Sequence, residues 1–406
     1  MRSINPSRFR IATRGTAREI NSRIALNLVR THQPISRADL ARTMGVSRAA
    51  VTLIVNDLLK SKLIFEGATG EAPRGRKPTF LYIDSRRRAV LAADIRASET
   101  FLLLADVLGK PLTGVISLPT VSDPKLLVAA LAARIKRLLA DHPEVDACEG
   151  LGVVVPGMVE RSTMRVLHAP TLGWHNVNLR EPLAAATGLR VEIENSGRAC
   201  ALAQMWALRG DAAASVGDLV FVSISEGVGV GVIVNGEVLR GRHNIAGELG
   251  HLPLSLDGPA CSCGARGCWE AYISNRATLA RYFGRAPQAP GDEGANHRFT
   301  IEDLITRARA QDAKAVAAIE ATARYLGLGL ASVVIAFDPA RVYVGGEITL
   351  AWDLMERTVR AALAERALMS EGAPTDIRPV AASEYPRLQG AAALVTAPAF
   401  AAPVVA

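Results

Sequence analysis

The sequence predicts an α/β protein in two parts: a small N-terminal winged helix-turn-helix and a larger body of two lobes. Three observations predict this organisation: an uneven distribution of charge, a helix-turn-helix pattern, and an order of strands and helices that recurs after residue 88. At 406 residues the chain has room for two or three domains. Its 49% hydrophobic and 21% charged residues are typical of a globular protein that buries sizeable cores.

Basic residues are concentrated at the N-terminus. Residues 1–88 carry a net charge of +12 and the remainder carries −4, which gives the +8 of the whole chain. This distribution predicts a polyanion partner for the N-terminal module alone, with a merely solvated basic face as the alternative.

Composition also limits the compartment. Three of the five cysteines are clustered, which does not resemble a secreted disulfide framework. The Arg-rich N-terminus has no apolar signal core, and no uninterrupted apolar run approaches the ~20 residues of a membrane span. We therefore expect a cytoplasmic protein with no membrane partner.

A helix-turn-helix pattern follows a predicted supporting helix over Glu19–His32. Ser36 is a suitable N-cap for a short helix over Arg37–Met44, and Gly45 can adopt the left-handed conformation of a tight turn. Ser47 then caps a second helix, and apolar residues recur at helical spacing in both helices.

The second helix of such a motif places its N-terminal part in the major groove of DNA. The outward-facing candidates are Ser47, Arg48, Ala49 and Thr52. Arg48 is the best candidate to read a base, because a guanidinium can pair with guanine through two hydrogen bonds. A helical hairpin that binds no nucleic acid is the alternative.

Two short strand patterns, Leu63–Glu66 and Phe80–Ile83, flank a Gly/Pro-rich tip and predict the wing of a winged helix. Arg74, Arg76 and Lys77 in the tip could lie along a minor groove, where negative potential favours arginine. A flexible basic loop that contacts phosphates is an equal alternative. Residues 1–84 are therefore predicted to form a DNA-binding domain.

The body begins with three strand-like runs, then an amphipathic helix, then alternating strands and helices, and this order occurs twice. It resembles the actin-like, ribonuclease-H-type ATPase fold, which has a cleft between two lobes. We expect the lobes at residues 88–200 and 201–396, followed by a flexible tail over 397–406. The glycine-rich segment 227–231 precedes another strand, so it predicts a hairpin loop and not a dinucleotide site.

Four metal-type ligands occur close together in the second lobe: His251, Cys261, Cys263 and Cys268. Thiolates and an imidazole are the ligands of tetrahedral zinc. Four protein ligands leave no open position for water, so the spacing predicts structural Zn²⁺, with three unligated thiols as the alternative.

Several motifs together resemble the ROK family of repressors, open reading frames and kinases. They are PGMVE, GWHNVNLREPL, IENSGRACAL, SEGVGVGVIVNGEVLRG, AGELGH, CSCGARGCWE and VGGEI. The cysteine segment is similar to the whole zinc signature of the family. A helix-turn-helix joined to this ROK domain is the architecture of the family's repressors.

The resemblance implies a sugar site and a metal site. The family's contacts to sugar hydroxyls correspond to Gly157, Asn195, Glu248, His251 and Glu270. Its zinc ligands correspond to the four residues named above, with His251 common to both sets. Carboxylates and an amide can bind vicinal hydroxyls, and zinc would fix the orientation of the His251 ring.

Two departures from the kinase pattern argue against catalysis. In the family's kinases an Asp follows the site Asn and acts as the base, whereas this chain has Ser196, whose hydroxyl cannot accept a proton near neutral pH. Arg96 and Ala97 replace glycines of the phosphate turn, and Glu99 adds negative charge. We therefore expect no enzymatic activity and no catalytic residue.

The function that follows is a sugar-responsive transcriptional regulator, most simply a repressor of carbohydrate uptake or catabolism genes. Its expected partners are a double-stranded DNA operator, a sugar or sugar-phosphate effector, and further copies of itself in a homodimer or a dimer of dimers. The alternatives are an active sugar kinase with an appended DNA-binding module and a ligand-independent DNA-binding protein.

Overall fold

The structure is a computed structural model that describes residues 14–69, 77–85, 87–208, 217–286, 299–366 and 375–400. Its N-terminal module contains three helices and three strands, which are α1 (Arg14–His32), β1 (Ile35–Ser36), α2 (Arg37–Met44), α3 (Arg48–Lys60), β2 (Ile64–Thr69) and β3 (Thr79–Ile83). Helix α1 begins five residues before the predicted start.

The helix-turn-helix prediction agrees with the structure at each cap. The Ser36 hydroxyl accepts a hydrogen bond from the Asp39 amide, and the Asp39 carboxylate accepts one from the Ser36 amide, which forms a capping box. Gly45 has a left-handed φ of 66° between the helices. The Ser47 hydroxyl accepts from the Ala50 amide at the start of α3.

The wing prediction also agrees with the structure where residues are described. Strands β2 and β3 pair antiparallel, and β1 adds to the other side of β3. Phe65 and Tyr82 stack across the pair with ring centroids 5.3 Å apart. Lys77 is exposed two residues before the start of β3, whereas Arg74 and Arg76 lie outside the described residues.

The first lobe is built on a five-stranded sheet in the order β11-β7-β4-β5-β6. Its elements are β4 (Arg88–Ile95), β5 (Glu99–Asp106), β6 (Ile116–Pro119), α4 (Pro124–Ala140), β7 (Ala147–Val155), β8 (Met158–Val159), β9 (Val166–Ala169), β10 (Trp174–Val177), α5 (Arg180–Thr187), β11 (Val191–Asn195) and α6 (Ser196–Ala207). Strands β8, β9 and β10 form a small separate sheet.

The second lobe has a sheet in the order β14-β13-β12-β15-β16. Its elements are β12 (Leu219–Ile224), β13 (Val228–Val234), β14 (Glu237–Val238), α7 (Glu270–Ile273), α8 (Asn275–Tyr282), α9 (Ile301–Arg309), α10 (Ala313–Phe337), β15 (Arg341–Gly345), α11 (Trp352–Ala364), β16 (Asp376–Val380) and α12 (Pro386–Phe400).

The two sheets have equivalent topology. In each, the first strand pairs antiparallel with the second and parallel with a later strand, which in turn pairs parallel with the edge strand. This repeat confirms the predicted two-lobed, actin-like fold. The carboxyl ends of parallel strands meet at one edge of a sheet, so Asp94, Val155 and Asn195 end on the same side of the first lobe.

Helix α10 is long and apolar enough to cross a membrane by length and composition. Its inner face, including Leu326, Leu330 and Val333, is fully buried in the core of the second lobe. A core helix of a soluble protein has this pattern, so the helix is weak evidence for a membrane span.

The structure corrects the predicted lobe boundaries. Helix α6 runs without interruption across the predicted boundary between residues 200 and 201. Helix α12 lies in the segment assigned to the second lobe, yet Leu388, Ala391 and Val395 pack on the first-lobe sheet against Val90 and Val154. That sheet needs an apolar cover on this face, which the chain supplies from its far end.

The predicted flexible tail also begins too early. Residues 397–400 form the last turn of α12, and Phe400 is buried against Trp206 with ring centroids 5.3 Å apart. Residues 401–406 lie outside the described residues.

Candidate functional site

Helix α3 presents the predicted reading face to solvent. Ser47, Arg48, Ala49 and Thr52 are all exposed, and the opposite face of the helix is buried in the module core. Sequence reasoning missed Leu53, whose 66% exposure is unusual for a leucine in a folded helix. It lies on the same face as Ala49, because residues four apart are neighbours on a helix surface.

The four predicted metal ligands converge in the structure. One ligand atom from each of His251, Cys261, Cys263 and Cys268 lies within 4.8 Å of all the others. The Cys263 and Cys268 sulfurs are 3.7 Å apart, and the Cys261 sulfur is 3.6 Å from Nδ1 of His251. Sulfurs bound at about 2.3 Å around a tetrahedral zinc would lie about 3.8 Å apart, so these residues fit the ion.

The loop that carries these ligands requires glycine. Gly267 has a left-handed φ of 68°, and a Cβ there would lie only 1.6 Å from the Ser255 carbonyl oxygen. Burial and the neighbouring Cys263 and Cys261 sulfurs raise the pKa of Cys268 to about 12. A divalent cation among the sulfurs is what would offset this penalty and favour thiolates.

Asn195 and Gly157 meet at the carboxyl edge of the first-lobe sheet. The Asn195 side-chain amide donates to the Gly157 carbonyl at 2.7 Å. Its oxygen caps α6 by accepting from the Gly197 and Arg198 amides. Gly157 has a φ of 91°, and a Cβ there would lie 2.2 Å from the His168 carbonyl oxygen, so only glycine fits. The structure thus brings these two predicted residues together.

Glu248, His251 and Glu270 approach the site from the second lobe. Glu248 precedes the short 3-10 turn that ends at His251, and burial raises the pKa of its carboxyl group, against the opposing effect of Arg198 and His251. Glu270 is largely buried: its carboxylate accepts from the Val228 amide and from the Ser262 hydroxyl, both at 2.9 Å. Glu270 therefore joins the metal-ligand loop to the β12–β13 hairpin.

Sequence reasoning missed a buried arginine in this region. Arg198 is 1% exposed, donates to the Glu194 carboxylate at 3.0 Å and to the Asn244 carbonyl, and lies 3.9 Å from Glu248. Arg240 pairs with the other Glu194 oxygen. A charged residue within the otherwise small and apolar start of α6 was the available signal. We call Asn195, Arg198, Glu248 and Glu270 the carboxylate side of the cleft.

A second charged cluster bridges the two lobes, and we call it the arginine side; it is defined by Asp94, Arg96, Glu347 and Arg387. Asp94 is fully buried and accepts from Nε of Arg96 at 2.7 Å. Arg96 lies 3.5 Å from Glu347 of the second lobe, and Arg387 lies 4.0 Å from Asp94. Arg387 also donates to the Ser225 hydroxyl at 2.9 Å. Side chains of this chain thus neutralise one another across the two lobes.

Ser196 is buried at the first turn of α6, and its hydroxyl faces Gly229 of the hairpin. Cys200, one turn further on, is fully buried, and burial raises the pKa of its thiol to about 12. Neither side chain is a proton acceptor near neutral pH. The arrangement can bind polar groups on the carboxylate side, but it lacks a base where the kinase pattern has one.

Solved structures with this two-lobed fold include both sugar kinases and transcriptional regulators. Residues 116–397 match the ROK family, so the chain belongs to that family. It is 26% identical to the xylose repressor of Bacillus subtilis over 370 residues, which cover 91% of this chain and 93% of that protein.

Structural comparison gives the same relationship. A ROK family transcriptional regulator, a homologue of the Escherichia coli Mlc protein, aligns over 95% of this chain and 97% of its own with a TM-score of 0.77 and 28% identity. A ROK glucokinase from Streptomyces griseus, solved with glucose and AMPPNP, covers 75% of this chain and 98% of its own with a TM-score of 0.64 and 27% identity. The regulator match includes the N-terminal part of the chain.

Proposed function

We propose that this protein is a cytoplasmic, sugar-responsive transcriptional repressor of carbohydrate genes. One observation carries the proposal: a basic helix-turn-helix module is joined to a ROK body that lacks the catalytic base at Ser196. The first part supplies a DNA-binding surface. The second supplies a site that could hold a sugar without phosphorylating it. The relatives named xylose repressor support the same function.

The DNA interface is proposed to centre on the exposed face of α3 in the major groove. Arg48 would pair with guanine, and Ser47, Ala49 and Thr52 would contact nearby base edges or phosphates. Leu53 adds an apolar contact of the kind that recognises the thymine methyl group. Arg74, Arg76 and Lys77 of the wing would contact the backbone or a minor groove.

The sugar is proposed to bind between Gly157 and Asn195 of the first lobe and Glu248, His251 and Glu270 of the second. The carboxylates would accept hydrogen bonds from vicinal hydroxyls. The Nδ1 edge of His251 faces the cysteine sulfurs, which leaves Nε2 to bond a hydroxyl. Xylose is the first sugar to test, because relatives are named for it.

Zn²⁺ is proposed to bind His251, Cys261, Cys263 and Cys268 as a structural ion. It would hold the imidazole at a fixed angle, and Glu270 would transmit the position of the same loop to the β12–β13 hairpin. The fit of the sulfur and nitrogen distances to a tetrahedral site supports this assignment.

Effector binding is proposed to change the angle between the lobes and so the spacing of two DNA modules in a homodimer. A sugar shifts DNA affinity only through its different affinities for the two arrangements. A two-fold dimer would require palindromic half-sites about one helical turn apart, or a multiple of it.

The test begins with selection of the operator from random duplex DNA, followed by gel-shift titration with a panel of pentoses, hexoses, N-acetyl sugars and their phosphates. We expect one class of sugar to weaken operator binding. Arg48→Ala should lower operator affinity by about 10-fold or more, since a bidentate base contact contributes ~1–3 kcal/mol. The control is Arg357→Ala, which removes an exposed arginine from α11 of the body. Full operator binding by the Arg48 variant, or indifference to every sugar, contradicts the proposal.

The kinase alternative is tested separately with a coupled ATP-turnover assay across the same sugars. We expect no turnover from the unaltered chain. We expect none from Ser196→Asp either, because Arg96 still replaces a glycine of the phosphate turn, and Arg96 and Arg387 still lie beside Asp94 on the arginine side. Sugar-dependent turnover by the unaltered chain would establish an enzyme. Operator binding that no sugar affects would instead favour the alternative of a ligand-independent DNA-binding protein.

A further inference from the structure

One helix connects the candidate sugar site to the DNA-binding module. Helix α6 begins at its N-cap Asn195 and carries Arg198 in its first turn, beside Glu248. It ends after Trp206, at the surface of the N-terminal module. At 1.5 Å per residue its twelve residues span about 18 Å.

At that far end Trp206 lies against Arg30 of helix α1. The Arg30 guanidinium carbon is 4.2 Å from the centre of the Trp206 ring, and its Nη1 donates to the Trp206 carbonyl at 3.2 Å. The indole nitrogen of Trp206 donates to the Leu108 carbonyl at 3.3 Å. Arg30 is only 9% exposed, so its contact with Trp206 is buried between the module and the body. We call this contact the Trp206–Arg30 joint.

Helix α12 runs from the arginine side of the cleft to the same joint. Its N-terminal Arg387 belongs to the arginine side, and its C-terminal Phe400 packs edge-on against Trp206 and lies 5.8 Å from the Arg30 guanidinium. A Cβ on Gly390 would lie 2.1 Å from the Ala199 carbonyl oxygen, so the two helices touch through their backbones. Closely packed interfaces of this kind shift as units and do not deform continuously.

The core of the N-terminal module is continuous with this joint. Val107 and Phe400 are buried in the same hydrophobic cluster as Leu26 and Val29 of α1. A displacement of α6 or α12 would therefore move α1, on which α3 packs. The module is attached to the ends of two helices whose other ends lie in the cleft.

We propose that Trp206 and Arg30 are positioning residues that couple the effector site to the DNA-binding module. The inference rests on the proposed function, because it assigns the route of that regulation. The sugar acts at the start of α6, α6 and α12 move together, and the Trp206–Arg30 joint transfers this movement to α1. Neither residue touches the sugar or the DNA.

The experiment measures three quantities in the full-length zinc-loaded protein: sugar affinity by calorimetry, operator affinity without sugar, and operator affinity with saturating sugar. The ratio of the last two is the coupling, which in regulated proteins is typically about 5- to 150-fold. In Trp206→Ala and in the milder Arg30→Gln we expect that ratio to fall to about 2-fold or less. Sugar affinity and sugar-free operator affinity should stay within about 3-fold of the unaltered chain.

Trp352→Ala is the matched control, because Trp352 lies in the core of the second lobe, away from the joint. Circular dichroism and operator binding confirm that each variant is folded, and Trp206→Phe should retain part of the coupling by keeping the ring. If both joint variants respond to sugar as strongly as the unaltered chain, the inference is overturned. If the unaltered chain itself shows no response to any sugar, the proposed function fails and this inference fails with it.

Discussion

The two sides of the interlobe cleft use charge in opposite ways. On the arginine side, Asp94, Arg96, Glu347 and Arg387 neutralise one another and bridge the lobes. On the carboxylate side, Glu248 is held partly exposed, with Arg198 3.9 Å away and a metal-ligand loop behind it. One side is closed by the protein's own side chains and the other keeps polar groups for a ligand. The proposed loss of phosphoryl transfer is therefore compatible with the proposed binding of a sugar on the carboxylate side.

The largest expected effect comes from the metal ligands. Cys263→Ser should abolish stoichiometric zinc and the sugar response, and it should lower the unfolding temperature of the body by roughly 10 °C or more. Structural zinc contributes on the order of 10 kcal/mol in small domains, and each kcal/mol shifts Tm by ~2–4 °C in a large one. Elemental analysis and scanning calorimetry provide the measurement. Cys148→Ser, a thiol outside the cluster, is the control; equal metal content in both variants would refute the ligand set.

The second-largest effect on stability is expected when the shared carboxylate of the arginine side is removed. Asp94→Asn removes the buried carboxylate that Arg96 and Arg387 share and leaves only the more distant Glu347 near them, and we expect a loss of about 3 kcal/mol in the free energy of unfolding. Asp376→Asn is a matched control, because Asp376 also pairs with two arginines but is 38% exposed. That change should cost less than ~1 kcal/mol. Equal losses in urea unfolding would show that burial does not distinguish the two clusters.

A smaller and more selective effect is expected on the carboxylate side. Glu248→Gln should weaken sugar binding by about 10- to 100-fold, because hydrogen bonds to a charged group contribute ~1.5–3 kcal/mol. Zinc content and thermal stability should not fall, since burial already penalises this carboxylate. Calorimetric titration measures the change, with the exposed Glu320→Gln of α10 as control. Unchanged sugar affinity would remove Glu248 from the site.

The smallest effect tests whether a local loss of stability in helix α2 is felt at the cleft. Ser36→Ala removes the capping box of α2 and should cost about 1 kcal/mol of that module's stability. Sugar affinity should not change. Thr43→Ala, at an exposed position of the same helix, should be neutral or slightly stabilising because alanine is the better helix former. A change in sugar affinity in the Ser36 variant would mean that the module and the cleft share stability.

Local chemistry made much of this protein predictable from its sequence. Ser36, Gly45 and Ser47 fix the caps and the turn of the helix-turn-helix through contacts within a few residues. The metal-ligand set falls within eighteen residues, from His251 to Cys268, so its spacing in sequence already indicated its closeness in space.

Contacts between distant segments were not predictable in the same way. Asp94 and Arg387 are separated by most of the body. No sequence pattern near either residue indicates that the other is its partner. The cover that α12 gives to the first-lobe sheet was missed for the same reason, because an apolar helix fits any apolar face. Arg198 was visible as a charged residue in an apolar run, but its partners Glu194 and Arg240 were not.

The docking of α12 onto the first lobe has a consequence during synthesis. Residues 386–400 leave the ribosome after the whole second lobe, yet they cover Val90, Ala92 and Val154 of the first. Until they emerge, the nascent chain must keep this apolar face uncovered. A chain cut before residue 386 would therefore carry the N-terminal module on an unfinished body, would also lack Phe400 from the core of that module, and would be an early target for proteolysis.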